Sequence, residues 1–493
     1  MQHLEIKTLG ALKASGYTSK NIRDEMRQNL ILKLQKGKTV FDNVMGFEET
    51  VVPDLERAVL SRHSILLLGL RGQAKTRIAR TMIQLLDEWI PVVAGSEIND
   101  DPLQPISIFA RNLVETMGDQ TPIAWLHRRD RYVEKLATPD VSVADLIGDV
   151  DPILAASLKL PYSDERVIHF GLVPRAHRCL FVLNELPDLQ ARIQVSLFNI
   201  LQEGDIQIRG FKLRLPLEIA FVFTANPEDY TNRGSIITPL KDRIQSQILT
   251  HYPLELETAI KITAQEAKPD TAQQKAVKIP LALRRLLELV VFEARESELI
   301  DQKSGVSARM SISAMENLYS AAERRMLLSG EKLTTARVSD FWGIIPAMTG
   351  KVEYVYEGEQ EGPYTVAIKL LGGAVKKLFL EYFPNPDTLV SKRKGAQIPA
   401  DRDPFGTIRA WFAGGNSIEI LNDASDANYK KSLHKVAGLL TLVEKSAVEE
   451  KERLVFMELV LHALSEYQII GKDIMTTGQQ FSDPLADMLG DLG

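Results

Sequence analysis

The chain has 493 residues, 45% hydrophobic and 25% charged, with a net charge of −6. These proportions exclude a globally disordered chain, and at roughly 150 residues per domain the length allows about three domains. The single cysteine, Cys179, excludes an internal disulfide framework and points to a reducing, cytoplasmic setting. The acidic balance weighs against a broad nucleic-acid surface, no apolar run has the length of a membrane span, and MQHLEIKTLG lacks the apolar centre of a secretory leader.

In chain order, residues 1–40 read as a helical lead-in, with an amphipathic stretch around Ile22 to Leu34. Residues 41–255 alternate short apolar runs with helical periodicity, the pattern of an α/β layer with a mostly parallel sheet. Ile65–Leu68, Leu180–Leu183 and Ile219–Phe223 are expected as buried strands, because strands covered on both faces read as continuous apolar runs. Ile78, Met82, Leu85, Leu86 and Trp89 share one helical face, as do Ile193, Leu197, Ile200 and Leu201, with Gly204 as a stop. Residues 275–350 are expected to form a separate helical domain, with Leu286, Val290 and Ala294 on one stripe. Residues 351–493 are expected to be a further α+β region. There Val352–Tyr356 and Tyr364–Ile368 flank EGEQEGP like a hairpin, two helices follow from about Ala427 to Tyr467, and the tail from Thr476 reads as a mobile or partner-binding end.

The strongest chemical signal is Gly69, Leu70, Arg71, Gly72, Gln73, Ala74, Lys75 and Thr76, followed by Arg77, between an apolar strand and an amphipathic helix. A phosphate-binding loop requires that context: backbone N–H groups face an anion, Lys75 reaches the β and γ phosphates, and the Thr76 hydroxyl meets Mg²⁺. Ala74 stands where a second glycine is usual; an alanine in helical φ/ψ makes that departure mild. A plain glycine-containing turn is the alternative.

Leu180–Leu183 runs into Asn184 and Glu185. In nucleotide hydrolases the first polar residue after such a strand holds a Mg²⁺-bound water, and the acid after it activates the attacking water. Asn184 accepts from a water but brings no charge, so weaker Mg²⁺ binding is expected, and Asn184→Asp is expected to lower the Mg²⁺ requirement. Asn226, after the third strand, is placed to orient a water, or else is a turn former before Pro227. Arg243, in Thr238–Ile244, is placed to reach an adjacent subunit's nucleotide, the alternative being a surface pair with Asp242. Arg309 begins a helix of the second domain, as a bridge to the phosphates or as a solvated first-turn residue.

Together GLRGQAKT, LFVLNEL, FTANPED, TPLKDRI and VSARMSISAMENL resemble an AAA+ ATPase, more narrowly the MoxR and magnesium-chelatase I-subunit branch, over roughly residues 40 to 350. Leu146–Asp151, His169–Pro174 and Leu201–Phe211 are similar to the chelatase I subunit, and Asp205–Arg214 resembles the β-hairpin these families insert before the third strand. The resemblance implies ATP and Mg²⁺ as cofactors and a homo-oligomeric ring, usually a hexamer, with ATP at its interfaces. It also implies a partner protein carrying a von Willebrand A-type domain, remodelled or supplied with metal. Gly46 and Phe47, in Val44–Glu49, match the segment along the adenine. Lys75 and Thr76 match the phosphate and metal positions, Glu185 the catalytic acid, Asn226 the first sensor, Arg243 the arginine finger and Arg309 the second sensor; Asn184 departs from the usual Asp. A nucleotide-binding switch with little turnover and a DNA-associated motor stay open as alternatives. The basic runs His127–Arg131 and Ser391–Lys394 read as solvated faces, the histidines lack zinc spacing, and Cys179 reads as a small core residue.

Overall fold

In the computed structural model, which describes residues 4–162, 164–206, 215–227, 235–387 and 403–484, the chain divides into two units, Met1–Tyr252 and Pro253–Gly493. The first unit is an α/β layer around a five-stranded sheet. In chain order its strands are β1 (Ile65–Leu68), β2 (Tyr132–Leu136), β3 (Cys179–Asn184), β4 (Ile219–Ala225) and β5 (Ser246–Leu249). Their order across the sheet is β5-β1-β4-β3-β2, and every pairing is parallel. The register sets Leu68 beside Ala225 and Leu249, and Asn184 beside Leu136, so all five strands end on one side.

Alternation along the strands builds two cores. Ile65, Leu67, Leu180, Val182 and Val222 face helices α1 (Ile22–Gln35) and α2 (Val51–Leu60) through Met26, Leu30, Val51 and Leu55. Leu66, Leu68, Phe181, Leu183 and Phe223 face the other way, onto Leu146, Val173, Ile193 and Leu240. β1, β3 and β4 are buried along their whole length, which is why they read as unbroken apolar runs. Cys179 is a core residue whose thiol burial pushes up to about 12.

The helix expected from Ile78 to Trp89 stops early. Helix α3 covers Lys75–Thr81, a 3₁₀ turn carries Met82–Leu85, and Trp89 opens a strand to Val93 paired antiparallel with Ile123–His127. Pro91 lacks an N–H and biases its predecessor toward extended backbone, so the helical period ends although Leu85 and Leu86 stay buried. The run around His127 is not wholly solvated either. Arg131 is 1% exposed and forms two 2.7 Å hydrogen bonds with the buried Glu25 of α1. Glu25→Ala would leave that guanidinium buried without its counter-charge, and a loss of about 3–5 kcal/mol is expected. Urea unfolding checks this, and a midpoint equal to the parent's would remove the pair from the stability of the unit.

In the second unit, one hydrophobic cluster runs from Val277 to Phe481. It joins α4 (Leu256–Glu266), α5 (Leu281–Glu296), α6 (Arg309–Ser329), α7 (Pro363–Tyr382) and α8 (Arg453–Glu466). The hairpin expected at 352–368 is overturned: Tyr356–Glu361 and α7 are helices joined by Gly362 at φ 85°. Val366, Ala367, Leu370, Leu371, Ala374, Val375, Leu378 and Phe379 are all buried, a 3.6-residue period that outweighs the β-branched start. The tail is corrected in part, since Gly478–Ser482 is the central strand of an antiparallel sheet with Ile418–Leu421 and Gly471–Met475, and Phe481 is fully buried. Tail residues 485–493, hairpin residues 207–214 and Ser391–Lys394 lie outside the described residues. Buried Glu458 of α8 accepts from the N–H groups of Val338 and Ser339 and from the Tyr429 hydroxyl at 2.7–3.0 Å. Among the described residues no helix is long and apolar enough to cross a membrane.

Candidate active site

In open α/β sheets, ligand crevices lie beyond the carboxyl ends of the strands where the strand order reverses. Here the chain leaves β1, crosses to β2 at the far edge, and returns through β3 and β4 before placing β5 on the other side of β1. The Gly69–Ala74 loop sits at that reversal. Gly69 is required by close approach: a Cβ there would fall 2.0 Å from Thr250 Oγ1 and 2.2 Å from Gln73 Oε1. Gln73 is buried and accepts from the Thr250 hydroxyl at 2.8 Å, and the Tyr252 hydroxyl donates to Arg71 O at 2.8 Å. Residues 250–252, directly after β5, therefore brace the loop.

Ala74 does not take the helical φ/ψ expected of it. It lies at φ 55°, ψ 15°, just before α3, after Gly72 at φ 75°. A Cβ in that left-handed region costs about 1–2 kcal/mol relative to glycine, so the local sequence is strained where the loop turns into the helix.

Lys75 bends back over the loop. Its Nζ donates to Gly69 O, to Leu70 O at 2.9 Å and to Asn226 Oδ1 at 2.6 Å. The first residue of α3 and the residue after β4 are thus in direct contact. Thr76 and Arg77 are half-buried in the first turn of α3. Gly46 is at φ 82°, and Phe47 is buried, its ring edge-on to His251 at 5.0 Å; His251 Nε2 also bonds Thr50 Oγ1 at 2.7 Å. The Gly46–Phe47 segment and the loop therefore meet the same 250–252 brace.

Glu185 follows β3 in a left-handed conformation, φ 56°, which turns the chain sharply at the strand end. Its N–H donates to Thr224 Oγ1 at 3.1 Å, and the Thr224 hydroxyl donates to Asn184 Oδ1 at 3.1 Å. Asn184 Nδ2 donates to Glu134 Oε1 at 2.7 Å. Glu134, on β2, also accepts from Arg80 of α3 and from the Tyr132 hydroxyl. Burial pushes the Glu134 carboxyl up, but the hydrogen bonds from Arg80 and Tyr132 outweigh it and hold the carboxyl below its usual range. Glu134 is thus a charged acceptor, which fixes which end of the Asn184 amide faces it.

Arg243 is not paired with Asp242 as the plain alternative had it. Its guanidinium bonds Gln202 Oε1 at 3.1 Å and Pro239 O at 2.7 Å, and lies 4.8 Å from the centre of the Phe198 ring. Arg309 opens α6 in the second unit, its N–H on Ser307 Oγ at 3.1 Å. Sequence reasoning passed over Glu134, Thr224, Thr250 and Tyr252. The alternating run Tyr132–Leu136 and the polar Thr250-His-Tyr252 after a short apolar run were the available signals.

No family model matches the chain. Among solved structures it is similar to NtrX from Brucella abortus, at 13% identity and TM-score 0.33 over 58% of this chain and 54% of that one. For NtrX in complex with ATP the values are 14% and 0.36, over 71% and 68%. A candidate ATPase from Cytophaga hutchinsonii matches at 16% and 0.30, over 73% of this chain and 97% of that one. The chain spans about half the length of the first of these. With TM-scores below 0.5, the fold assignment stands on the strand order and register described above.

Proposed function

We propose that the first unit binds ATP and hydrolyses it, as a member of the MoxR and magnesium-chelatase branch of AAA+ ATPases working in a homo-oligomeric, hexameric ring. Its task in this reading is to remodel or activate a partner with a von Willebrand A-type domain, in metal insertion or complex maturation. The observation that carries the reading is the contact of Lys75 with Asn226 across the ends of β1 and β4, with Glu185 at the end of the next strand. An ammonium, an amide and a carboxylate at neighbouring strand ends form the donor and acceptor set that phosphoryl transfer to water needs.

In this mechanism Lys75 exchanges the Gly69 and Leu70 carbonyls for phosphate oxygens. Asn226 orients the attacking water, and Glu185 takes its proton. The Thr76 hydroxyl suits a hard cation that arrives with phosphate oxygens, because among the described residues no group of three or more His, Cys, Asp or Glu converges to hold a metal alone. Bound Mg²⁺ supplies charge neutralisation on the phosphates. Arg243 acts on a neighbouring subunit's nucleotide, and Arg309 is the second sensor. A nucleotide-binding switch with little turnover is the second reading, favoured by the neutral Asn184; steady-state phosphate release separates the two.

The ring reading is tested by mixing variants. Arg243→Ala is expected to bind ATP nearly normally and fail in turnover, since it loses a transition-state contact and not the ground-state pocket. Mixed with Glu185→Gln protein it should regain part of the activity, because some interfaces then pair an intact Glu185 with an intact Arg243. A mixture that stays inactive while mass measurement detects mixed oligomers overturns the role of Arg243 across the interface.

A further inference from the structure

Asn184 looks like a loss when the β3 end is read alone, since an amide stands where a carboxylate is usual. The neighbouring strand changes that. Asn184 Nδ2 lies 2.7 Å from Glu134 Oε1, and the register that sets Leu136 beside Asn184 puts Glu134 and Asn184 on the same face of the sheet. A carboxylate can only accept, so the amide must present its N–H₂ to Glu134 and its carbonyl oxygen to Thr224. The Thr224 hydroxyl then has one arrangement left: it donates to Asn184 Oδ1 and accepts the Glu185 N–H. One chain of hydrogen bonds thereby runs from the β2 acid to the backbone of Glu185. Arg80 and Tyr132 hold the far side of the Glu134 carboxylate, so it cannot swing away without leaving both.

We propose that Glu134 is a positioning residue for the hydrolytic site: with Asn184 it forms an acid–amide pair, the acid on β2 and the amide on β3, that orients Glu185 through Thr224. The inference rests on the ATPase reading above. It reverses the expectation drawn from the sequence for Asn184→Asp. With Glu134 in place that substitution sets two carboxylates against each other in a half-buried site and removes the donor that orders Thr224.

The test is an exchange of the two groups. Asn184→Asp, Glu134→Gln and the double variant are compared with the parent for phosphate release, for nucleotide affinity by equilibrium binding of ATP without Mg²⁺, and for melting temperature. Asn184→Asp alone should lower turnover by roughly tenfold or more while ATP affinity stays within about threefold, because the pair acts on Glu185 and not on the loop. The double variant, with the amide on β2 and the acid on β3, should regain most of the lost turnover. Turnover of Asn184→Asp equal to or above the parent overturns the proposal, and so does a double variant no better than the worse single one. If Asn184→Asp does not fold, a folded and active double variant supports the pair and an inactive one overturns it. A parent that releases no phosphate overturns the ATPase reading instead. The pair is then judged by the melting temperatures, where additive shifts count against it and recovery in the double variant supports it.

Discussion

Glu185→Gln is expected to keep ATP bound and to lose turnover by about 10²–10⁴-fold, the usual cost of removing a general base. The loss should be confined to chemistry. The side chain keeps its length and shape, and the left-handed turn at φ 56° is set by the backbone, which glutamine follows as readily as glutamate. The contact that anchors this turn is the Glu185 N–H on Thr224 Oγ1, which the substitution does not touch. Phosphate release and equilibrium nucleotide binding, measured on the same protein, separate the two effects. Unchanged turnover would move the base elsewhere, and equal losses of binding and turnover would make Glu185 a structural residue of the strand end.

Lys75→Ala is expected to weaken ATP binding roughly ten- to hundredfold, because a charge-assisted hydrogen bond contributes about 1.5–3 kcal/mol. The ammonium already has partners, the carbonyls of Gly69 and Leu70 and the amide oxygen of Asn226. Binding a phosphate therefore exchanges contacts, which keeps the expected effect within that range and not above it. The variant is expected to fold, because Lys75 is half-buried and lies outside the apolar cores on either face of the sheet. Nucleotide titration checks the affinity and thermal melting checks the fold. Parental affinity in a folded Lys75→Ala protein would overturn the phosphate-loop assignment.

The central strands were legible because burial on both faces forces an unbroken apolar run, as in Ile65–Leu68 and in Leu180–Leu183. The edge strands were not. β5 has a single buried position and β2 has none, with four partly buried residues and an exposed Leu136, so neither has an apolar run to find. The misreading at 352–368 has a related cause. A window ending at Ile368 holds β-branched and aromatic residues, while the helical stripe that decides the outcome runs on to Phe379. The Trp89 error was local, since Pro91 was in view and already marked the end of helical backbone.

The sequence by itself determined the α/β class of the first unit, the glycine loop between strand and helix, and the positions of Lys75, Glu185 and Asn226 after apolar strands. Those features depend on residue type and short spacing. Only the tertiary structure decided which of them meet. Lys75 and Asn226 are 151 residues apart, and parallel pairing of β1 with β4 brings them together. Glu134 and Asn184 are 50 residues apart, and the β2–β3 register makes them partners. The left-handed turn at Ala74 likewise has no signal in an alanine. It arises where a loop braced by Thr250 and Tyr252 must enter a helix, and strand order, which no single segment encodes, supplies the brace.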